Sequence, residues 1–244
     1  MKINLDTVKL PKKISPCPIL ECVVEFRFES PFPPDAIFGI MYNEFKGDYP
    51  NLQELPILQL PEVVRRQDAA LRYKPYYKLS SADKKFLFQV GGRVFSLINL
   101  SPYDGWTSFF AKLKNMIERV KKISIIDKYT RVGIRYINGF DFNIFEKVNL
   151  SISLSKDHLT GLDSTIRMTV PSGEFISTLQ VINDAEVKNA EKTVKGSIID
   201  IDTHIDNPKE DIIKIVEQGH LEEKKLFFTL LKEEFVKKEL NPEY

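Results

Sequence analysis

Six residues of this chain are best suited to binding chemistry: Arg27, Arg131, Arg135, Asn99, Asn138 and Tyr103. Arg131 and Arg135 lie four apart in the run Arg131-Val-Gly-Ile-Arg-Tyr-Ile-Asn138. On a strand that spacing sends both guanidinium groups to one face, with Val132, Ile134 and Tyr136 on the other. Guanidinium groups suit two-point recognition of carboxylate or phosphate. Asn99 or Asn138 would add an amide, and Tyr103 would orient the guest. The set predicts a small anion pocket. A second reading needs no ligand. Glu25 and Arg27 share the polar face of an earlier strand, so Glu25 can pair across a sheet with Arg131 or Arg135. Ion-pair networks gather charge without function as well. Structural pairing is the preferred reading, and no catalytic residue is assigned.

Asp200, Asp202, His204 and Asp206 alternate with Ile199, Ile201, Thr203 and Ile205. All four polar groups therefore project from one side, about 7 Å apart. Carboxylate oxygens at that spacing suit Mg²⁺, Mn²⁺ or Ca²⁺. One strand supplies too few convergent ligands, so no metal is expected. Tyr73, Tyr76 and Tyr77 lie among Arg65, Arg66, Arg72, Lys74 and Lys78. Such a strand could stack single-stranded bases, although aromatics beside Lys are also ordinary sheet composition. Of the three histidines, His158 and His204 are isolated and His220 sits in an apolar helical stripe as a packing residue. No nucleophile triad, HExxH, CxxC pair or phosphate loop is present in the sequence, so no cofactor is expected.

The elements that must position these residues follow from periodicity. Leu20–Phe28 alternates as a half-buried strand, with Cys22, Val24, Phe26 and Phe28 inward. Pro34 and Asp35 open a helix to about Phe45. Gly47–Pro61 reads as loop with at most a short strand. Ala70–Leu79 reads as a strand. Lys85–Val90 and Arg93–Leu100 form a hairpin around Gly91-Gly92. Asn99-Leu-Ser-Pro-Tyr-Asp-Gly-Trp106 ends that strand and opens a helix to about Lys122, and Trp106, the only tryptophan, is read as its core anchor. Tyr129–Ile137 is the next strand. Val148–Leu154, Ser164–Val170, Glu174–Ile182 and Val194–Ile205 follow as strands, with turns at Pro171-Ser-Gly173 and over Asn183–Lys192. Pro208 opens a helical region to about Leu240 that Gly219 would interrupt. Short turns between strands mean antiparallel pairing. The fold class is therefore α+β: an extended, mostly antiparallel sheet with a β-α-β-β-β-α-β N-terminal part, a β-meander and a long C-terminal helix. Residues 1–244 form one domain, with lobes 1–145 and 146–244 sharing a core.

The chain resembles a sporadically distributed family of uncharacterised prokaryotic proteins. The resemblance rests on Pro18, Glu21, Glu25 and Arg27, on Gln89-Val-Gly91 and Asn99, and on Pro102-Tyr103-x-Gly-Trp106. It is extended by Arg131-x-Gly-x-Arg-Tyr-x-Asn138 and Ile199-Asp-Ile-Asp202. It covers nearly the whole length. It implies one co-folded, cytoplasmic domain and transfers no activity.

Composition narrows the function classes. Lys+Arg numbers 35 against Asp+Glu at 34, so no global field draws nucleic acid or an anionic membrane. Two cysteines, Cys17 and Cys22, are too few for a disulfide framework or a zinc site and read as reduced thiols. Nothing approaches the ~20 apolar residues of a membrane span, and Met1–Lys13 lacks the apolar run of a signal peptide. The expectation is a cytoplasmic, non-enzymatic interaction module with a protein partner or a second copy of itself. It would use the sheet face opposite the helices or an exposed edge. The rival is a small-anion binder or enzyme using the arginine face, and the third reading is single-stranded nucleic-acid binding.

Overall fold

The computed structural model describes residues 5, 8–158, 164–189 and 192–244. The side chain of His158 and that of Arg66 lie outside the described set. The protein is α+β, with an open, mostly antiparallel nine-stranded sheet. The strands are β1 (Ile19–Glu29), β2 (Asn51–Glu54), β3 (Tyr77–Ser80), β4 (Phe86–Val90), β5 (Val94–Leu100), β6 (Lys128–Phe140), a separate two-stranded pair β7 (Ser153–Leu154) and β8 (Asp157–His158), then β9 (Thr165–Ser172), β10 (Phe175–Asn189) and β11 (Lys192–Asp206). Hydrogen bonding joins the nine in the order β2-β3-β4-β5-β1-β6-β11-β10-β9. The helices are α1 (Pro34–Phe45), α2 (Glu62–Gln67), α3 (Trp106–Lys122), α4 (Ile212–Leu230) and α5 (Glu233–Glu239). No helix among the described residues is long and apolar enough to cross a membrane.

Two compact units divide the chain. One holds Val23–Gly133 and Ile205–Val216, the other Met1–Cys22, Ile134–His204 and Glu217–Tyr244. Both units are discontinuous in sequence, because β1, β6 and β11 each contribute residues to both.

The Val23–Gly133 unit has an aromatic core. Phe26 stacks on Phe95 at 4.7 Å, and Phe45 of α1 meets Phe88 of β4 at 4.8 Å. Pro34 stands in the first turn of α1, where its missing N–H costs nothing. Ile37, Met41 and Phe45 then recur at helical spacing and are buried. In α3 the same logic buries Phe109, Leu113, Met116, Ile117 and Val120, and Trp106 stacks on Phe110.

The hairpin β4–β5 pairs Val90 with Phe95, so its tip is Gly92-Arg93, one residue beyond the expected position. Neither Gly91 nor Gly92 has a positive φ, so a primed turn is not why glycine stands there. A Cβ on Gly91 would collide with the Lys74 carbonyl, and one on Gly92 would come within 2.6 Å of Pro34. Close backbone approach is the requirement. The expected strand over Ala70–Leu79 shrinks to β3. Turn hydrogen bonds from Leu71 N–H to the Asp68 carbonyl and from Lys74 N–H to the Leu71 carbonyl curl the chain before it, and Pro75 has no N–H to enter a ladder.

The other unit packs Phe140, Ile144, Val148, Val181, Ile199, Ile201, Phe227 and Phe235 into one core. The strand expected at Val148–Leu154 is replaced by a 3-10 turn at Ile144–Lys147 and only the short β7. Val148 instead bridges Leu231, and Asn149 donates its amide to the Thr229 and Leu231 carbonyls. That bracket also ends α4: Lys232 N–H donates to the Lys147 carbonyl, separating α4 from α5. Gly219 does not interrupt α4; it sits where Ile134 and Phe175 approach the helix. The long turn expected over Asn183–Lys192 is mostly strand, since β10 runs to Asn189 and β11 begins at Lys192, with an irregularity between Ile182 and Ala185. The turn expected at Pro171-Ser-Gly173 shifts onward. Phe175 pairs with Ser172, Gly173 takes φ +59°, and Pro171 lies in the edge strand β9, where a missing donor is tolerated.

Candidate functional site

Alternation along β1 buries Val24, Phe26 and Phe28 and leaves Glu25 and Arg27 on the other row. Arg27 Nε donates to Glu25 Oε1 at 2.8 Å, and Arg131 Nη1 reaches the same oxygen at 3.1 Å. The Arg131 side chain is 12% exposed and lies over Gly133, 2.6 Å from where a Cβ would stand. Gly133 thus leaves room for the guanidinium to lie flat on the sheet. This is the cross-strand pair expected of Glu25, made with Arg131.

Arg135 is held differently. Its Nε donates to Asp200 Oδ1 at 2.7 Å and its Nη2 to Asp200 Oδ2 at 2.6 Å. These bonds hold the guanidinium pKa above its ordinary value against desolvation, and Asp202 and Glu21 add attraction. The field at Arg135 is therefore already negative, which disfavours a further anion. Asn138 lies on the opposite row of β6, is buried, and donates to the Ile199 carbonyl at 3.3 Å. Asn99 is also buried. It donates to the Leu100 carbonyl and accepts from Asp104 N–H, fastening the loop that carries Pro102 and Tyr103. Tyr103 itself is half-buried. The two asparagines thus spend their amides on backbone.

Asp200, Asp202 and His204 stand opposite Gln180, Thr178 and Ile176 of β10. Among the described residues no group of three His, Cys, Asp or Glu converges as a metal site. Cys17 and Cys22 are free thiols, exposed and buried respectively. His220 shares a hydrogen bond of 3.0 Å with the Tyr136 hydroxyl, and burial pushes it down to about 3.

A groove of about 410 Å³ opens beside α3, lined by Phe45, Tyr49, Phe86, Lys112, Met116 and Arg119 among others. Its Arg119 is occupied by Glu44 and Asp48. Burial, with Asp48 adjacent, raises the Tyr49 hydroxyl to about 12, so it stays protonated.

The tyrosines of the third reading, base stacking, lie in three settings. Tyr77 stacks on Phe38 at 3.5 Å, Tyr76 is buried with Arg65 over its ring, and Tyr73 carries both Arg27 and Arg72 over its ring at 5.0 and 5.5 Å. Arg93 is the functional candidate that periodicity did not single out. It stands at the hairpin tip and donates to the Gly92 and Phe32 carbonyls at 2.7 and 2.9 Å. The signal that could have found it is the Gly91-Gly92 pair, which marks a place where another backbone segment presses on the hairpin.

Fold and side chains define a class: an α+β protein with an open, mostly antiparallel sheet whose Arg131 and Arg135 are each bound to a carboxylate. No family model matches the chain, and no curated protein matches it.

Proposed function

We propose that this chain is a non-enzymatic interaction module that pairs with a second copy of itself along the β2 edge. The carrying observation is that edge strand. β2 ends the sheet, all four of its residues are exposed, and Leu52, Leu60, Val63 and Val64 are exposed apolar side chains in the same stretch of chain. An unpaired strand edge presents free N–H and C=O groups to another strand.

Self-pairing is favoured by charge. A two-fold antiparallel pairing centred between Leu52 and Gln53 sets Glu54 opposite Asn51 of the copy, not opposite a second Glu54. The net charge of +1 leaves little repulsion between copies. The occupation of Arg131 and Arg135 by carboxylates weighs against the rival reading of an arginine-lined catalytic face. A cytoplasmic, prokaryotic setting and the family resemblance carried by Pro102-Tyr103-x-Gly-Trp106 belong to the same proposal.

Sedimentation and native mass across a concentration series test it. The wild type is expected to dimerise, and Leu52→Lys, which places a charge on the edge, is expected to raise the dissociation constant tenfold or more, roughly the loss of one good apolar contact. Leu52 is exposed, so unchanged circular dichroism is expected. A monomer at every concentration, or a dimer indifferent to Leu52→Lys, overturns the reading.

A further inference from the structure

The groove of about 410 Å³ beside α3 is built from three pieces of the Val23–Gly133 unit. They are the end of α1 with the residues just after it, the turn between β3 and β4, and one face of α3. Lys112, Asn115, Met116 and Arg119 recur at helical spacing on that face. Phe45, Tyr49, Phe86 and Met116 supply an apolar and mostly aromatic wall, each less than a tenth exposed. Phe45 and Tyr49 both pack on Phe88, with ring centroids 4.8 and 5.8 Å away, which holds their rings from behind.

Several polar groups of the lining are already bonded. Arg119 is held by Glu44 at 2.7 Å and by Asp48 at 2.5 Å. The Ser81 hydroxyl donates to Asp83 Oδ1 at 2.6 Å. Three others are not engaged in this way. Lys112 Nζ lies over the ring of Phe86 at 4.8 Å and makes no ion pair among the described residues. The residues three and four away from it along α3 are Ser108, Phe109, Asn115 and Met116, and none is acidic. The side chains of Asn115 and Tyr49 make no hydrogen bond among the described residues. Tyr49 is only 8% exposed, and a tyrosine hydroxyl so placed ordinarily finds a partner. Burial keeps that hydroxyl protonated, so it is a donor.

We propose that this groove binds a small aromatic monocarboxylate, its rings against Phe45, Phe86 and Met116 and its carboxylate at Lys112 and Asn115, with the Tyr49 hydroxyl as a further donor. Aromatic and thioether side chains favour a flat ring, and the volume suits one or two fused rings. Charge sets the orientation. Arg119 with Glu44 and Asp48 leaves one negative charge in excess at its end of the groove. Lys112 and Arg119 are seven residues apart on the helix, roughly 10 Å, which is about one Debye length. A carboxylate therefore turns toward Lys112, whose single unpaired charge suits a monoanion. The site stands apart from the β2 edge and does not depend on pairing there.

Isothermal titration at constant ionic strength tests the site with 2-naphthoate, with uncharged 2-naphthamide, and with octanoate, which has the carboxylate but no ring. Saturable binding of 2-naphthoate is expected, with the other two at least fivefold weaker. Lys112→Gln is expected to weaken 2-naphthoate about tenfold, the loss of one charge-assisted contact, and to leave 2-naphthamide unchanged. Lys112 is exposed, so unchanged circular dichroism is expected. Lys114→Gln, on the same helix but outside the groove, is expected to bind as the wild type does. Tyr49→Phe removes a hydroxyl that has no partner in the fold, so it is expected to lower affinity about threefold at an unchanged melting temperature. No saturable heat from 2-naphthoate, equal binding of 2-naphthamide or octanoate, or 2-naphthoate binding indifferent to Lys112→Gln overturns the proposal.

Discussion

Arg135 grips Asp200 with two parallel hydrogen bonds, Nε to Oδ1 at 2.7 Å and Nη2 to Oδ2 at 2.6 Å, joining β6 to β11. Asp200 is the more buried partner, its side chain 15% exposed against 45% for Arg135. The pair is a fastening of the sheet, and it removes from binding chemistry one of the arginines that the sequence offers most prominently.

Two such fastenings can be ranked. Arg135→Lys keeps the charge but loses the fork, and because this arginine is partly solvated the cost should be about 0.5–1 kcal/mol. Glu25→Gln removes the negative charge shared by Arg27 and Arg131, and Arg131 is mostly buried. That change should cost about 2 kcal/mol, the range for withdrawing a carboxylate from a partly buried cation. Urea unfolding midpoints of the two variants check the order, and a larger loss for Arg135→Lys would count against this account.

Two titrating groups on α4 should give stability a dependence on pH with opposite signs. His220 is held neutral by burial, and its pKa falls from 6.5 to about 3, with the Lys224 ammonium adding repulsion. The unfolded chain therefore binds a proton that the folded one refuses, and stability falls as pH drops from 6.5 toward 3. Glu223 is fully buried, and desolvation raises its carboxyl well above 4.5, partly countered by Lys224. Here the folded state holds the extra proton, so stability is lost as pH rises above 4.5 toward the folded pKa. Glu223→Gln should stabilise the protein at about pH 8 and do little near about pH 4, with a slope no steeper than about 1.4 kcal/mol per pH unit. Thermal melts of wild type and variant across that range decide it; equal curves would show that Glu223 ionises freely in the folded state.

Two glycines of the same unit should respond differently to a methyl group. A Cβ on Gly196 would strike the backbone carbonyl of Phe140, which cannot move without displacing β6. Gly196→Ala should therefore cost about 3 kcal/mol or more. On Gly219 the methyl meets the tip of the Ile134 side chain first and Phe175 next, at 3.1 Å. Ile134 can turn aside, and Ala is favoured over Gly in a helix interior by about 1 kcal/mol, so Gly219→Ala should stay within about 1 kcal/mol of wild type. Calorimetric melting of both variants tests the contrast.

Local patterning alone determines much of this molecule. The two-residue alternation of Cys22, Val24, Phe26 and Phe28 fixes which side of β1 is buried and therefore places Glu25 and Arg27 together on the other. Proline at the head of α1 and the apolar recurrence in α3 set those helices to within a residue, because capping and amphipathicity depend only on near neighbours. The same alternation makes Glu25 a partner for an arginine of the β6 run. Which arginine it takes is a question of strand order and register, and these are decided by long-range burial that no short window contains. Tertiary structure alone gives Arg131 to Glu25 and Arg135 to Asp200, which lies 65 residues away in the chain. It alone turns Asn99 and Asn138 inward to satisfy backbone, and breaks the helical run at Leu231 by offering its carbonyl to Asn149. It alone presses Lys74 and Pro75 against Gly91. Periodicity specifies the face on which a side chain lies; the neighbour it meets there depends on the free energy of packing the whole chain.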